Sequence, residues 1–84
     1  MTYTLKLVAQ NGHDSINTVL TNMETGEDRE EQWERMEDGQ WVWENGWGEA
    51  EHGLFHVLYE DCERVDALLT EVEANCYGEV EFEA

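Results

Sequence analysis

The chain has 84 residues, with 21 acidic and 4 basic side chains, a formal charge of −17 and 40% hydrophobic residues that include 4 tryptophans. A disordered acidic tail carries far fewer apolar side chains, and this length has room for one small core, so we expect a single folded acidic domain over residues 1–84. The charge also argues against direct binding to nucleic acid or to anionic membrane surfaces.

The acidity is confined to part of the chain. Residues 1–23 hold Lys6 and Asp14 and are neutral, whereas all other charged side chains lie in residues 24–84. The stretch EDREEQWERMEDG at 27–39 is the densest part, with seven carboxylates and two arginines. Like charges at this density oppose folding, so the pattern indicates that the carboxylates are used, most simply to bind a basic partner.

The N-terminal residues MTYTLKLVAQ alternate polar and apolar side chains and do not resemble a signal peptide. No apolar run is long enough to span a bilayer, so we expect a cytoplasmic protein. Cys62 and Cys76 fit either two free thiols or one disulfide, and the lack of a secretion signal favours free thiols.

The first half of the chain predicts a β-meander. Alternation of apolar and polar residues, interrupted by turns rich in Gly and Asn, predicts four strands, at 2–9, 16–23, 28–35 and 40–44. A short helix over 27–37 remains an alternative, because good helix formers follow a possible cap formed by Thr25 and Asp28.

The second half predicts a loop at 46–53, an apolar central strand at 54–59 and a final strand at 79–84. The clearest element is an amphipathic helix of about 61–76, capped by Asp61 and ended by Gly78, whose apolar stripe contains Cys62, Val65, Leu68, Leu69, Val72 and Cys76. The sequence therefore predicts an α+β fold, in which an antiparallel β-sheet of four to six strands is packed by one helix.

No motif of an enzyme or metal site stands out. Catalytic signatures such as G-x-S-x-G and H-E-x-x-H are missing, and the acids fall at positions that the pattern assigns to solvent, so we expect no enzyme and no cofactor. His52 and His56 could join the two cysteines around zinc, but on a strand at 54–59 they would lie about 13 Å apart. We therefore expect no metal site.

The four tryptophans have different expected roles. Trp41 and Trp43 share one strand face, so we expect both in the core with Trp33 beside them. Trp47 lies between two glycines in the predicted loop. It is either an exposed interface anchor or is buried by the loop folding back.

Rows of carboxylates are the strongest functional signal. Same-face residues of a strand repeat about every 6.7 Å and helical neighbours stand about 5–6 Å apart, spacings that present charge as a phosphate backbone does. Glu63, Asp66 and Glu73 are expected on the outer face of the helix. The candidate partner-binding residues are Glu30, Glu31, Glu34, Glu37, Asp38, Trp47, Glu79, Glu81 and Glu83.

In size, charge and aromatic content, the whole chain resembles the small acidic DNA-mimic inhibitors that phages direct against host defences, including anti-CRISPR and anti-restriction proteins. The resemblance implies a stoichiometric, non-catalytic inhibitor, as a monomer or homodimer, that occupies the basic cleft of a nucleic-acid-binding complex such as a CRISPR effector or restriction enzyme. Two alternatives remain: a salt-adapted protein of a halophile, and an interaction module for a basic protein that does not bind nucleic acid.

Overall fold

The computed structural model describes residues 1–75 and 78–84. It contains a five-stranded antiparallel sheet and two helices, which confirms the α+β prediction. The strands run in the order β4-β3-β2-β1-β5. In chain order, the elements are β1 (Thr2–Gln10), β2 (Ser15–Asn22), β3 (Asp28–Arg35), β4 (Trp41–Gly48), α1 (Leu54–Val57), α2 (Cys62–Ala74) and β5 (Glu79–Glu83). Residues 28–35 form a strand, so the helical alternative for this segment is wrong.

The helix α2 follows its sequence pattern closely. The side chain of Asp61 accepts a hydrogen bond from the backbone N–H of Arg64 at 3.2 Å and caps the first turn, as expected. The stripe Val65, Leu68, Leu69 and Val72 is buried, and α2 packs on β1 and β5. Cys62 was expected in this stripe but is an exposed free thiol, while Cys76 lies outside the described residues. Among those described, no helix has the length and hydropathy needed to cross a membrane.

Residues 54–59 were expected to form a central strand, and this prediction is wrong. Leu54–Val57 is one turn of helix, because Leu54 and Leu58 are four residues apart and both point into the core. Tyr59 and Glu60 then adopt positive φ angles of 57° and 62°, which turn the chain from α1 into α2.

The loop predicted at 46–53 begins later than expected, because β4 continues through Gly48. Gly46 and Gly48 pair with Glu31 and Arg29 of β3. A Cβ on Gly48 would stand 2.6 Å from the carbonyl oxygen of Asp28, so glycine lets the two strands stay together here. Among the described residues, β4 pairs with β3 on one side and with no strand on the other, so it forms one edge of the sheet.

The sheet has two distinct sides. We call the side that packs against α1 and α2 the helix side and the other the open face. The helix side carries the core of the protein, including Leu5, Ile16, Leu20, Trp33 and Phe82. The indole N–H of Trp33 donates to the hydroxyl of Thr18 at 3.1 Å, so the largest buried side chain is also satisfied as a donor.

Candidate partner-binding surface

The register of the strands places several of the predicted residues in one line across the open face. Trp47 of β4 pairs with Glu30, Glu30 with Val19, Val19 with Lys6, and Lys6 with Glu79 of β5. Directly paired residues of neighbouring strands point to the same side of a sheet. Trp47, Glu30 and Glu79 therefore belong to one surface, although β4 and β5 lie at opposite edges of the sheet.

Two rows of carboxylates follow the strands on this face. Asp28, Glu30 and Glu34 lie along β3, and Glu79, Glu81 and Glu83 lie along β5. Charges within the β5 row repeat about every 6.7 Å, and three strand spacings separate the two rows by about 14 Å. The major groove between the phosphate strands of B-DNA is about 12 Å wide, which is close to this separation.

The basic residues are distributed very unevenly between the two sides. Arg29 and Arg35 point to the helix side from β3, and the guanidinium of Arg64 on α2 lies 5.8 Å from the centre of the Phe82 ring. Of the lysines and arginines in the described residues, Lys6 alone lies on the open face. The open face therefore carries both carboxylate rows with Lys6 of β1 between them, and the N-terminal ammonium lies 4.0 Å from Oε2 of Glu83 at the end of the β5 row.

Three of the open-face carboxylates are held by neutral donors. Asn17 donates its side-chain amide to Glu30 at 2.9 Å, the hydroxyl of Thr21 donates to Asp28 at 2.6 Å, and that of Thr2 donates to Glu83 at 2.7 Å. These bonds orient the carboxylates without neutralising them, and of the three only Glu83 also lies near a cation, the N-terminal ammonium at 4.0 Å. The charge remains available to an incoming cation at little further ordering cost.

The pKa of one glutamate on this surface is raised by a neighbouring carboxyl group. Glu44 of β4 shares a hydrogen bond with Glu34 and repels its charge, which raises the pKa of Glu34, with smaller effects from desolvation and Asp14. A cation placed beside this pair would relieve the repulsion.

The remaining surface candidates lie at the turn between β3 and β4. Glu37 and Asp38 are exposed there, and Asp38 accepts the backbone N–H of Gln40 at 2.9 Å, so its carboxylate also stabilises the turn.

Trp47 is 46% exposed and lies in strand β4, not in a loop. The structure therefore excludes the alternative in which a folded-back loop buries this tryptophan.

Glu31 does not belong to the surface on which the sequence placed it. It lies on the helix side, is only 2% exposed, and accepts the backbone N–H of Leu54 at 2.8 Å. Burial raises the pKa of its carboxyl, an effect opposed by that hydrogen bond and by Arg29, whose Nε lies 3.8 Å away. Glu31 is thus unavailable to a partner on the open face, and it ties α1 to the sheet.

Two carboxylates assigned to the outer face of α2 are also placed differently. Asp66 accepts the backbone N–H of Trp41 at 3.1 Å, and Glu73 forms an ion pair with Arg35. Both are half-buried and join α2 to β3 and β4. Glu63, the third member of the predicted row, is exposed.

The predicted tryptophan core is correct only in part. Trp33 and Trp41 are buried, but Trp43 is 47% exposed although it lies on the helix side. The reason is the position of α2, which covers β1 and β5 and leaves the outer part of β4 open. Trp43 instead forms a wall of a cavity of about 620 Å³ between β4, α1 and the start of α2.

The two histidines are closer than a strand at 54–59 would allow. Because 54–57 is helical, the rings of His52 and His56 lie 6.1 Å apart, and the expected separation of about 13 Å is wrong. Even so, the described part of the chain holds no cluster of three or more His, Cys, Asp or Glu arranged to bind a metal ion.

Sequence reasoning missed the role of Arg29, which donates to the backbone carbonyls of Ala50 and Glu51 at 3.3 and 3.4 Å and fastens the segment after β4. Strand alternation carried the necessary signal, since residues 29, 31 and 33 must share the side on which Trp33 is buried.

Comparisons with protein-family models, curated proteins and solved structures found no match to this chain.

Proposed function

We propose that this protein is a phage-type, non-catalytic inhibitor that uses its open face as a DNA mimic and occupies the basic DNA-binding cleft of a host defence complex in the cytoplasm. The observation that carries the proposal is the separation of charge across the sheet. The carboxylate rows of β3 and β5 share the open face with Lys6 and with the N-terminal ammonium beside Glu83, while all three arginines are engaged on the helix side.

The spacing of the rows supports a partner that normally binds duplex DNA. Cationic side chains placed to contact phosphates across a groove of about 12 Å would meet carboxylates about 14 Å apart. A pair of long Lys or Arg side chains easily spans the difference. Trp47 lies in the same line as Glu30 and Glu79 and supplies an apolar anchor among the charges.

Electrostatic attraction of this kind predicts fast association and strong weakening by salt. It also explains how the chain tolerates its own repulsion, because a cationic partner neutralises carboxylates that oppose one another in the free protein, as Glu34 and Glu44 do.

The proposal is tested by affinity capture from bacterial lysate, with elution by excess duplex DNA and separately by salt. We expect a DNA-binding nuclease or effector complex to be retained at low salt and displaced by DNA. The captured complex is then assayed for cleavage of its DNA substrate with increasing inhibitor. Retention that DNA does not displace, or a captured complex whose cleavage is unaffected, would refute the mimic and favour the general interaction module.

A matched pair of variants shows which surface acts. Glu30→Gln, Glu34→Gln and Glu81→Gln remove three charges from the open face, and Glu60→Gln, Glu63→Gln and Glu71→Gln remove three from exposed positions on or beside α2. We expect the first set to weaken binding about 100-fold at low salt and the second to have little effect. Equal losses would mean that only net charge matters.

A further inference from the structure

The cavity beside β4 has the features of a small-molecule site. Its volume of about 620 Å³ lies within the range of ligand pockets, and apolar atoms form most of its wall. Trp41 and Trp43 stand two residues apart on the same strand and contribute adjacent rings, with Phe55 of α1 opposite them. The cavity lies on the helix side, so it is separate from the open face.

The charged groups of this cavity are mainly acidic. Glu31, Glu51 and Asp66 line it, together with Arg29 as the one lysine or arginine in its lining and the imidazoles of His52 and His56. That arginine is already committed, because it donates to the carbonyls of Ala50 and Glu51 and lies near Glu31. Glu31 is the one buried carboxylate of the lining, so its desolvated charge would be stabilised by a cation that enters the cavity.

One wall of the cavity already holds a cation within the protein itself. The guanidinium carbon of Arg35 lies 4.5 Å from the centre of the Trp41 ring, a distance typical of a cation–π contact. Trp43, the neighbouring ring, is 47% exposed, and no cation is found over it among the described residues. The face of an aromatic ring attracts alkylated ammonium and guanidinium groups, and nearby carboxylates add to that attraction.

From this geometry we infer a second binding site, independent of the proposed inhibitor function, in which the cavity takes an organic cation with an apolar body and seats its charge against the ring of Trp43, on the acidic side of the cavity. The cation is either a free alkylammonium compound or the side chain of an arginine. Both sources share the same chemistry, and the probes below distinguish them.

The test is a titration of the intact protein at 150 mM NaCl, where diffuse attraction to the acidic surface is screened. The probes are benzyltrimethylammonium for a free ammonium, N-acetyl-arginine amide for an arginine side chain, and benzyl alcohol as the neutral control. The readout is the NMR signal of each tryptophan indole N–H. We expect saturable shifts at Trp43 for one or both cations, with a dissociation constant of about 1 mM, and weaker binding of benzyl alcohol. The tighter cation identifies the source.

Two variants of the same strand provide the control. Trp43→Leu keeps an apolar wall but removes the ring, and Trp47→Leu makes the same change at an equally exposed position on the open face. We expect the first to raise the dissociation constant about fivefold and the second to leave it unchanged. Glu31→Gln, which keeps an acceptor for the Leu54 N–H, should weaken the cations but not benzyl alcohol. Equal binding of cation and alcohol, or equal losses in the two tryptophan variants, would overturn the inference.

Discussion

Gly53 occupies a position where even one added methyl group should unfasten α1 from the sheet. A Cβ at this residue would lie 2.2 Å from Oε2 of Glu31 and 2.5 Å from its Cδ. The backbone of Gly53 has φ −86° and ψ −176°, which alanine adopts without strain, so any cost of Gly53→Ala must come from this contact. The carboxylate has little room to move, because it is buried and bonded to the N–H of Leu54.

The size of the effect follows from what is lost. A hydrogen bond to a charged group contributes about 1.5–3 kcal/mol, and replacing glycine by alanine in a compatible conformation returns about 0.4–1 kcal/mol through the unfolded chain. We therefore expect Gly53→Ala to lower the free energy of unfolding by about 1.5 kcal/mol. For a domain of this size, that corresponds to a fall in Tm of about 6–12 °C.

Urea unfolding followed by circular dichroism measures this change, and a double-mutant cycle with Glu31→Ala isolates its cause. In the Glu31→Ala background the clash is gone, so Gly53→Ala should be neutral or slightly stabilising. A Gly53→Ala variant as stable as the native protein, or one that loses the same free energy in both backgrounds, would refute the role assigned to the carboxylate.

Three further predictions concern stability. Because the pKa values of Glu31 and Glu34 are raised above 4.5, the folded state holds these protons more tightly than the unfolded chain. The free energy of unfolding should then fall as pH rises from about 4.5 through the raised values, and a Glu31→Gln, Glu34→Gln variant should show a smaller slope in urea titrations at several pH values. Asp61→Ala should cost about 1 kcal/mol in thermal unfolding through loss of the α2 cap; a change below about 0.3 kcal/mol would contradict that role. Trp33→Phe and Thr18→Val each leave a buried partner unsatisfied, so the double variant should lose less free energy than the sum of the two; strict additivity would show that their hydrogen bond contributes little.

Local patterns in the sequence were sufficient for most of the fold. Alternating strands and the apolar stripe of α2 depend on residues close together in the chain, and the structure has the five alternating strands and the stripe at Val65, Leu68, Leu69 and Val72, without Cys62. The strand predicted at 54–59 was wrong because a short apolar run suits a buried strand and a buried helical turn equally well. The deciding contact, the Glu31 carboxylate on the Leu54 N–H, joins residues 23 positions apart.

The candidate surface was predictable to the extent that it follows strand alternation. Glu30, Glu34 and the three glutamates of β5 lie on the open face, as a period of two requires. Glu31 is the exception among the predicted acids of β3, because the same period places it beside Trp33 on the helix side. The exposure of Trp43 depends on where α2 crosses the sheet, which no local pattern specifies.

The edge strand β4 links the charge of this protein to its solubility. An unpaired edge with exposed Val42, Trp43 and Trp47 is a template for aggregation, and the strand WVWENGWG has neither lysine nor proline to prevent it. Electrostatic repulsion between copies of the protein, each with a formal charge of −17, opposes this aggregation instead. Near the sequence isoelectric point of about 4.1 the protection disappears, so mild acid should drive edge-to-edge association of molecules that are still folded.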